Sequence, residues 1–167
     1  WKELERRIVL SQFTMKINAS GDYPPQETGL VNNSWYGRFH YEMILWNVAH
    51  HALWDRWPLL RKSLDVYRDN LPGAIKRASD QGYAGARFAK CTGPDGGEWP
   101  HPIHAFLVWQ QPHPIFFAAL DYRAHPSEVT LEKWRPVVEA SADFLASYAS
   151  FDSLASRYVL KGPISFV

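Results

Sequence analysis

Apolar residues fall at helical spacing along most of this chain. Leu4, Ile8, Phe13 and Ile17 recur among Lys2, Glu3, Glu5, Arg6 and Arg7, which predicts a helix over residues 1–19, ended by Gly21, Asp22, Pro24 and Pro25. Residues 39–54 are apolar on most sides (Met43, Ile44, Leu45, Trp46, Val48, Ala49, Ala52, Leu53), the pattern of an inner, buried helix. Leu60, Leu64, Tyr67, Leu71, Ala74 and Ala78 form one stripe over residues 57–78. Pro58 suits the start of that helix, whereas Pro72 conflicts with its interior and predicts a kink or break near Asn70 and Leu71. Residues 103–123 are again apolar nearly all round, but prolines 112 and 114 make this helix bend or restart near Pro114. Residues 130–147 are amphipathic, with Leu131, Trp134, Val138 and Leu145 on the core side and Glu132, Lys133, Arg135 and Glu139 on the wet side. The tail reads as loop, with a short extended run at residues 157–160. No strand pattern competes with the helices, so the fold class is all-α.

Helices buried on every side alternate with amphipathic ones. That alternation predicts a two-layer ring, an inner layer sealed and an outer layer with one wet face. Two long loops, residues 20–37 and 81–102, lead into the inner helices and would gather at one end of the ring. Loops of that length inside a domain are usually functional or disordered, and the first is too aromatic for disorder.

Composition narrows the function classes. At 167 residues the chain is one all-α segment, and its 46% hydrophobic and 21% charged fractions are those of a folded domain. A net charge of +1 without a basic run offers nothing to nucleic acid or to an anionic membrane surface. No apolar run reaches membrane-spanning length, and no signal peptide is present. The lone Cys91 excludes an intramolecular disulfide and a zinc framework, and it has no His-Asn set to make it a nucleophile. The chain opens inside a helical pattern and closes on an apolar run, so the expectation is a piece of a larger protein.

Aromatics reach 15%, with eight Trp, several of them in polar loops. Around the start of the 39–54 helix stand Glu27, Asn32, Asn33, Trp35, Tyr36, Arg38, His40 and Glu42. Aromatic platforms next to amides and carboxylates suit a sugar ring, whose apolar faces stack while its hydroxyls take paired hydrogen bonds. Trp35 and Tyr36 are candidate stacking platforms, Glu42 an acceptor from sugar hydroxyls and His40 a donor to one. The second loop adds Arg87 and Lys90 as cations able to reach the sugar. Asp95 and Glu98 are possible catalytic carboxylates, but loop acids beside Gly are often only turn formers. Trp109, Gln110, Gln111 and His113 flank the bent helix and are candidate cleft lining, since buried amides need partners. His50 and His51, deep in the 39–54 helix, read as structural histidines, and the spacing of carboxylates and histidines supports no metal site.

The runs WYGRFHYEMILWNVAHHALW, LDVYRDNLPGAIKRASDQGYAGARFAKCTGPDG and WQQPHPIFFAALDYR resemble the catalytic domain of the six-hairpin glycosidases, the (α/α)6 toroid. The nearest type is glycoside hydrolase family 65, the maltose, kojibiose and trehalose phosphorylases and acid trehalases. The resemblance covers residues 26–163. Its best-matched element is Gly82-Tyr83-x-Gly85-Ala86. Phe39, His40 and Glu42 fall at the Trp, Asp and Glu of that family's Phe-Trp-Asp-Thr-Glu motif. Phe39 and His40 thus depart from it, as do Arg87, Phe88, Ala89 and Lys90 from its acidic loop.

The resemblance implies about half of a toroid and an inverting cleavage of an O-glycosidic bond, by hydrolysis or phosphorolysis, on an oligosaccharide or glycoside. It implies no cofactor, a periplasmic or secreted location, and a general acid beyond Val167, supplied with the remaining half of the catalytic domain. This segment would supply the sugar-binding cleft through Trp35, Tyr36, His40, Glu42, Arg87, Lys90, Trp109, Gln110 and His113. Two other readings stay open: a non-catalytic carbohydrate-binding or scaffold fragment, and a toroid polysaccharide lyase using Tyr36, His40 and Arg87.

Overall fold

The computed structural model describes residues 1–26, 37–97, 99, 102–160 and 162. It is mostly helical. In chain order the elements are α1 (Lys2–Asn18), β1 (Phe39–His40), α2 (Ile44–Val48), α3 (His50–Leu53), α4 (Trp57–Asp69), α5 (Leu71–Asp80), β2 (Cys91–Thr92), α6 (Pro102–Phe106), α7 (His113–Ala124), α8 (Glu128–Tyr148), β3 (Ala149–Asp152) and β4 (Arg157–Leu160). No described helix is long and apolar enough to cross a membrane.

The longest helix, α8, is the spine. It lies along α7 and packs against α4 and α5. Ser127 caps its start by accepting from the Thr130 N–H at 3.2 Å. The core it helps to close contains Ile44, Val48, Leu60, Leu64, Tyr67, Phe88, Phe117, Trp134 and Val137, all buried. Asp121 on α7 ties three elements together. Its carboxylate accepts from Trp134 Nε1 at 3.0 Å and from Arg61 at 3.1 Å, and contacts His125 at 3.1 Å. Burial pushes the Asp121 carboxyl up, but the hydrogen bonds from Trp134 and Arg61 outweigh it and hold the group below its ordinary range.

The prolines act where their chemistry places them. Pro72 has no N–H to give and separates α4 from α5 at Asn70. Pro112 at the N-cap and Pro114 in the first turn let α7 begin at His113.

Three expectations are corrected. Residues 39–54 are not one helix: strand β1, a turn and two short helices occupy them. They are not sealed either, since Trp46 is 64% exposed and Leu53 82%. Strands do form. β1 pairs antiparallel with β2 (Phe39 opposite Thr92, His40 opposite Cys91); β4 falls on the extended run expected at residues 157–160, and β3 pairs with it as a hairpin. Helix α1 forms where the sequence predicts it and buries no residue; Leu4, Phe13 and Ile17 all stand in solvent.

Within the loop expected over residues 81–102, the run 84–90 is threaded into the interior, with residues 86–90 buried. Buried backbone must find partners, and here each comes from a different place. The N–H of Ala84 goes to Ser147 Oγ, that of Ala86 to Ala140 O, that of Arg87 to Ala74 O, that of Phe88 to Gln111 Oε1 and that of Lys90 to His104 O. Gly85 makes the threading possible. Its φ is +70°, and a Cβ there would run into the Ala140 carbonyl and the Phe144 amide on α8.

Candidate functional site

Residues 38–42 alternate. Phe39 and Tyr41 join the aromatic core, where Tyr41 meets Tyr67 and Phe88 at ring distances of 5.2 and 5.1 Å. His40 and Glu42 meet Lys90 instead. Its ammonium lies 2.9 Å from Glu42 Oε2 and 3.4 Å from His40 Nδ1. All three are withdrawn from water: His40 is 1% exposed, and the Lys90 and Glu42 side chains 7% and 14%. Elementary secondary structure brings this about. The β1–β2 pairing sets His40 opposite Cys91, and so puts Lys90 beside the strand that leads to Glu42.

Two more histidines close the group. His104 on α6 lies near enough to bear on His40, and its carbonyl accepts the Lys90 N–H at 2.7 Å. His113, at the start of α7, shares a 3.0 Å hydrogen bond between Nδ1 and the Tyr41 carbonyl. Because that oxygen can only accept, Nδ1 carries a proton. Burial drives the His40 imidazole down to about 3, aided by the charge of Lys90 and then by His104. His40 is therefore neutral at pH 7. With Lys90 as donor, its Nδ1 is the acceptor and its proton sits on Nε2. Burial also lowers His113, against the pull of the Tyr41 carbonyl and of Glu42.

A tryptophan flanks each end. Trp109 sets its ring edge-on to His113 at 5.2 Å. Its buried indole N–H has no hydrogen-bond partner among the described residues. At the other end Trp99 lies 6.5 Å from His104, and the Arg38 guanidinium rests over it at 4.9 Å. Among the described residues no group of three His, Cys, Asp or Glu is placed to hold a metal ion.

Of the residues picked from the sequence, His40, Glu42, Lys90, Trp109 and His113 therefore come together. Arg87 does not join them. It is 1% exposed and enclosed by Tyr83, Phe106, Phe144 and Tyr148, with its guanidinium hydrogen-bonded to Gln81 and to the Phe106 carbonyl. A sugar does not reach it there. Gln110 is also internal. It donates to the Phe88 and Leu107 carbonyls, as does Gln111, whose amide pairs with both backbone groups of Phe88 in the manner of a strand neighbour. Backbone groups of Phe88 and Leu107 thus take up both groups of the Gln111 amide and the N–H donors of Gln110. His51 bears out its structural reading by sharing a 2.7 Å hydrogen bond with the Ala19 carbonyl. Trp35 and Tyr36 lie outside the described residues, as do Glu27, Asn32, Asn33 and Glu98. Sequence reasoning did not place His104 in the site. The sole signal was its position in a Pro-His-Pro-x-His run, read as the approach to a helix.

The group thus gathers a carboxylate, an ammonium and a neutral imidazole of fixed tautomer, with aromatic surface at both ends. No protein-family model matches this sequence, and no curated protein matches it.

Proposed function

We propose that this segment binds a sugar ring at Glu42 and Lys90 and belongs to an inverting glycoside hydrolase built on an (α/α)6 toroid, of which it forms about half. The observation that carries the reading is the buried Lys90–Glu42 pair set between His40 and His113 and bracketed by Trp99 and Trp109. A pair serving stability alone has little use for two neutral histidines and two indoles around it. Glu42 accepts from sugar hydroxyls, Lys90 lies 2.9 Å from its carboxylate, and Trp109 supplies apolar surface. In inverting chemistry one carboxylic acid protonates the leaving oxygen while a second carboxylate, or phosphate in a phosphorylase, acts from the opposite face. We assign binding to this segment and the acid to the other half of the ring. Trp46, Leu53 and Trp54, apolar yet in water here, are the kind of side chains that completing a ring would cover.

The test is titration with glucose, maltose, kojibiose and trehalose, followed by tryptophan fluorescence, on wild type and Glu42→Gln. Loss of binding in the variant with its helical circular dichroism intact supports the reading; unchanged affinity removes it. The lyase alternative draws no support, because the Arg87 it needs is enclosed by aromatic rings.

A further inference from the structure

A hollow of about 440 Å³ opens beside the β1–β2 ribbon, between Tyr23, Arg38, Phe39, Thr92, Gly93 and Asp95. It is separate from the Lys90–Glu42 pair and none of the reasoning above uses it. Its volume lies within the range of small-molecule sites, roughly 300–1,000 Å³.

Its two charged groups have opposite sign and do not neutralise each other. Among the described residues Arg38 makes no ion pair; its guanidinium is held by Trp99 at 4.9 Å. Asp95 is held through Oδ1, which accepts the Gly97 N–H at 3.0 Å. Gly93 keeps the space between them open. A Cβ on Gly93 would stand 2.9 Å from Asp95 Oδ1 and 3.5 Å from Arg38 Nη1. A fixed donor and a fixed acceptor thus face one gap. An anion would meet the Asp95 carboxylate there, and a cation the Arg38 guanidinium. A hydroxyl can accept from one and donate to the other, and a ring of carbons carrying several hydroxyls repeats that match. Tyr23, 46% exposed, lends an aromatic surface to the same wall.

We propose that this hollow is a second saccharide subsite, taking the sugar unit next to the one at Glu42. The inference rests on the carbohydrate reading and adds where a longer substrate is measured. Arg38 and His40 stand two residues apart on an extended segment, about 7 Å, so the two sites adjoin along one strand. The subsite selects neutral sugars: a carboxylate or phosphate on this unit would be turned away by Asp95.

The experiment is a titration of the 15N-labelled chain with glucose and then with maltose, kojibiose and trehalose. The amides of Gly93 and Gly97 report on the hollow and the Trp109 indole on the main site. The expected result is that glucose moves Trp109 alone, whereas at least one disaccharide moves both and binds roughly tenfold more tightly. Asp95→Asn, and independently Gly93→Ala, which sets a methyl in the gap, should reduce that advantage to about twofold and leave glucose binding unchanged. Retention of the full advantage in both variants overturns the subsite while leaving the main site standing. A response at Trp109 with silent glycine amides for every disaccharide does the same. A response at the glycines without Trp109 sinks the main site and sustains the hollow as a sugar site of its own. Silence at both overturns both.

Discussion

Lys90→Met, Glu42→Gln and the combined variant measure what holds the candidate site together. At the observed 2.9 Å two unit charges attract by about 6 kcal/mol for an effective dielectric near 20. Withdrawing both from water takes back much of this, so the net value of the pair is small while the value of either partner to the other is large. Side-chain exposures of 7% for Lys90 and 14% for Glu42 leave little water to replace a lost partner. Lys90→Met leaves the Glu42 carboxylate facing a neutral His113, and about 2–4 kcal/mol of stability should go. With a urea dependence of roughly 2 kcal/mol per molar, the midpoint of unfolding drops by about 1–2 M. Glu42→Gln should cost less, since the amide still accepts from the ammonium. The combined variant should then lose about 2 kcal/mol less than the sum of the two single losses. The assay is urea unfolding followed by circular dichroism at pH 7 and at two salt concentrations, because a buried pair is barely screened. A coupling below about 0.5 kcal/mol, or one that high salt removes, refutes the claim that Lys90 and Glu42 act as a buried unit.

Three more outcomes follow from single contacts. Gly85→Ala sets a methyl against the α8 backbone at a positive φ and should destabilise the chain by about 3 kcal/mol or more, read as a fall in melting temperature. His40 has its folded pKa pushed down to about 3, so the unfolded chain takes up a proton at about pH 6.5 that the native state refuses. Stability is complete above that pH and falls as the pH drops toward 3. His40→Gln should lessen that slope by up to about 1.4 kcal/mol per pH unit, checked by unfolding at a series of pH values; an unchanged slope would contradict it. Asp121→Asn keeps the shape but loses the charge that Arg61 and His125 face, and should lose about 1–3 kcal/mol at pH 7 in urea unfolding, the difference closing as acid protonates the wild-type carboxyl.

The helices were legible because their period and their stops are local. The stripe over residues 57–78 and the break at Asn70 follow from Leu60, Leu64 and Pro72 alone, and the restart at His113 from two prolines. Residues 38–42 misled because their apolar alternation is only five residues long and runs into Met43-Ile44-Leu45, which extends a helical pattern backward over it. Which polar residues converge was half legible. Glu42 and Lys90 carry charge in apolar surroundings, and buried charge must be paired. Arg87, Gln110 and Gln111 look the same by that criterion. What separates them is the path of residues 84–90 through the core, set by long-range contacts with α5, α6 and α8 that no local spacing displays.

Helix α1 lends itself to a last deduction. It buries no residue; among the described residues Arg56 reaches its Gln12 at 3.4 Å and His51 meets the Ala19 carbonyl at its end. Isolated helices of this length are marginal in water. Its first turns are instead buttressed by Glu3, which bridges Arg6 and Arg7 at 2.8 Å each, all three in solvent. Exposed pairs of that kind weaken as ions crowd the solution. Added salt should therefore loosen its first turns, whose amides exchange with deuterium sooner than those of α8.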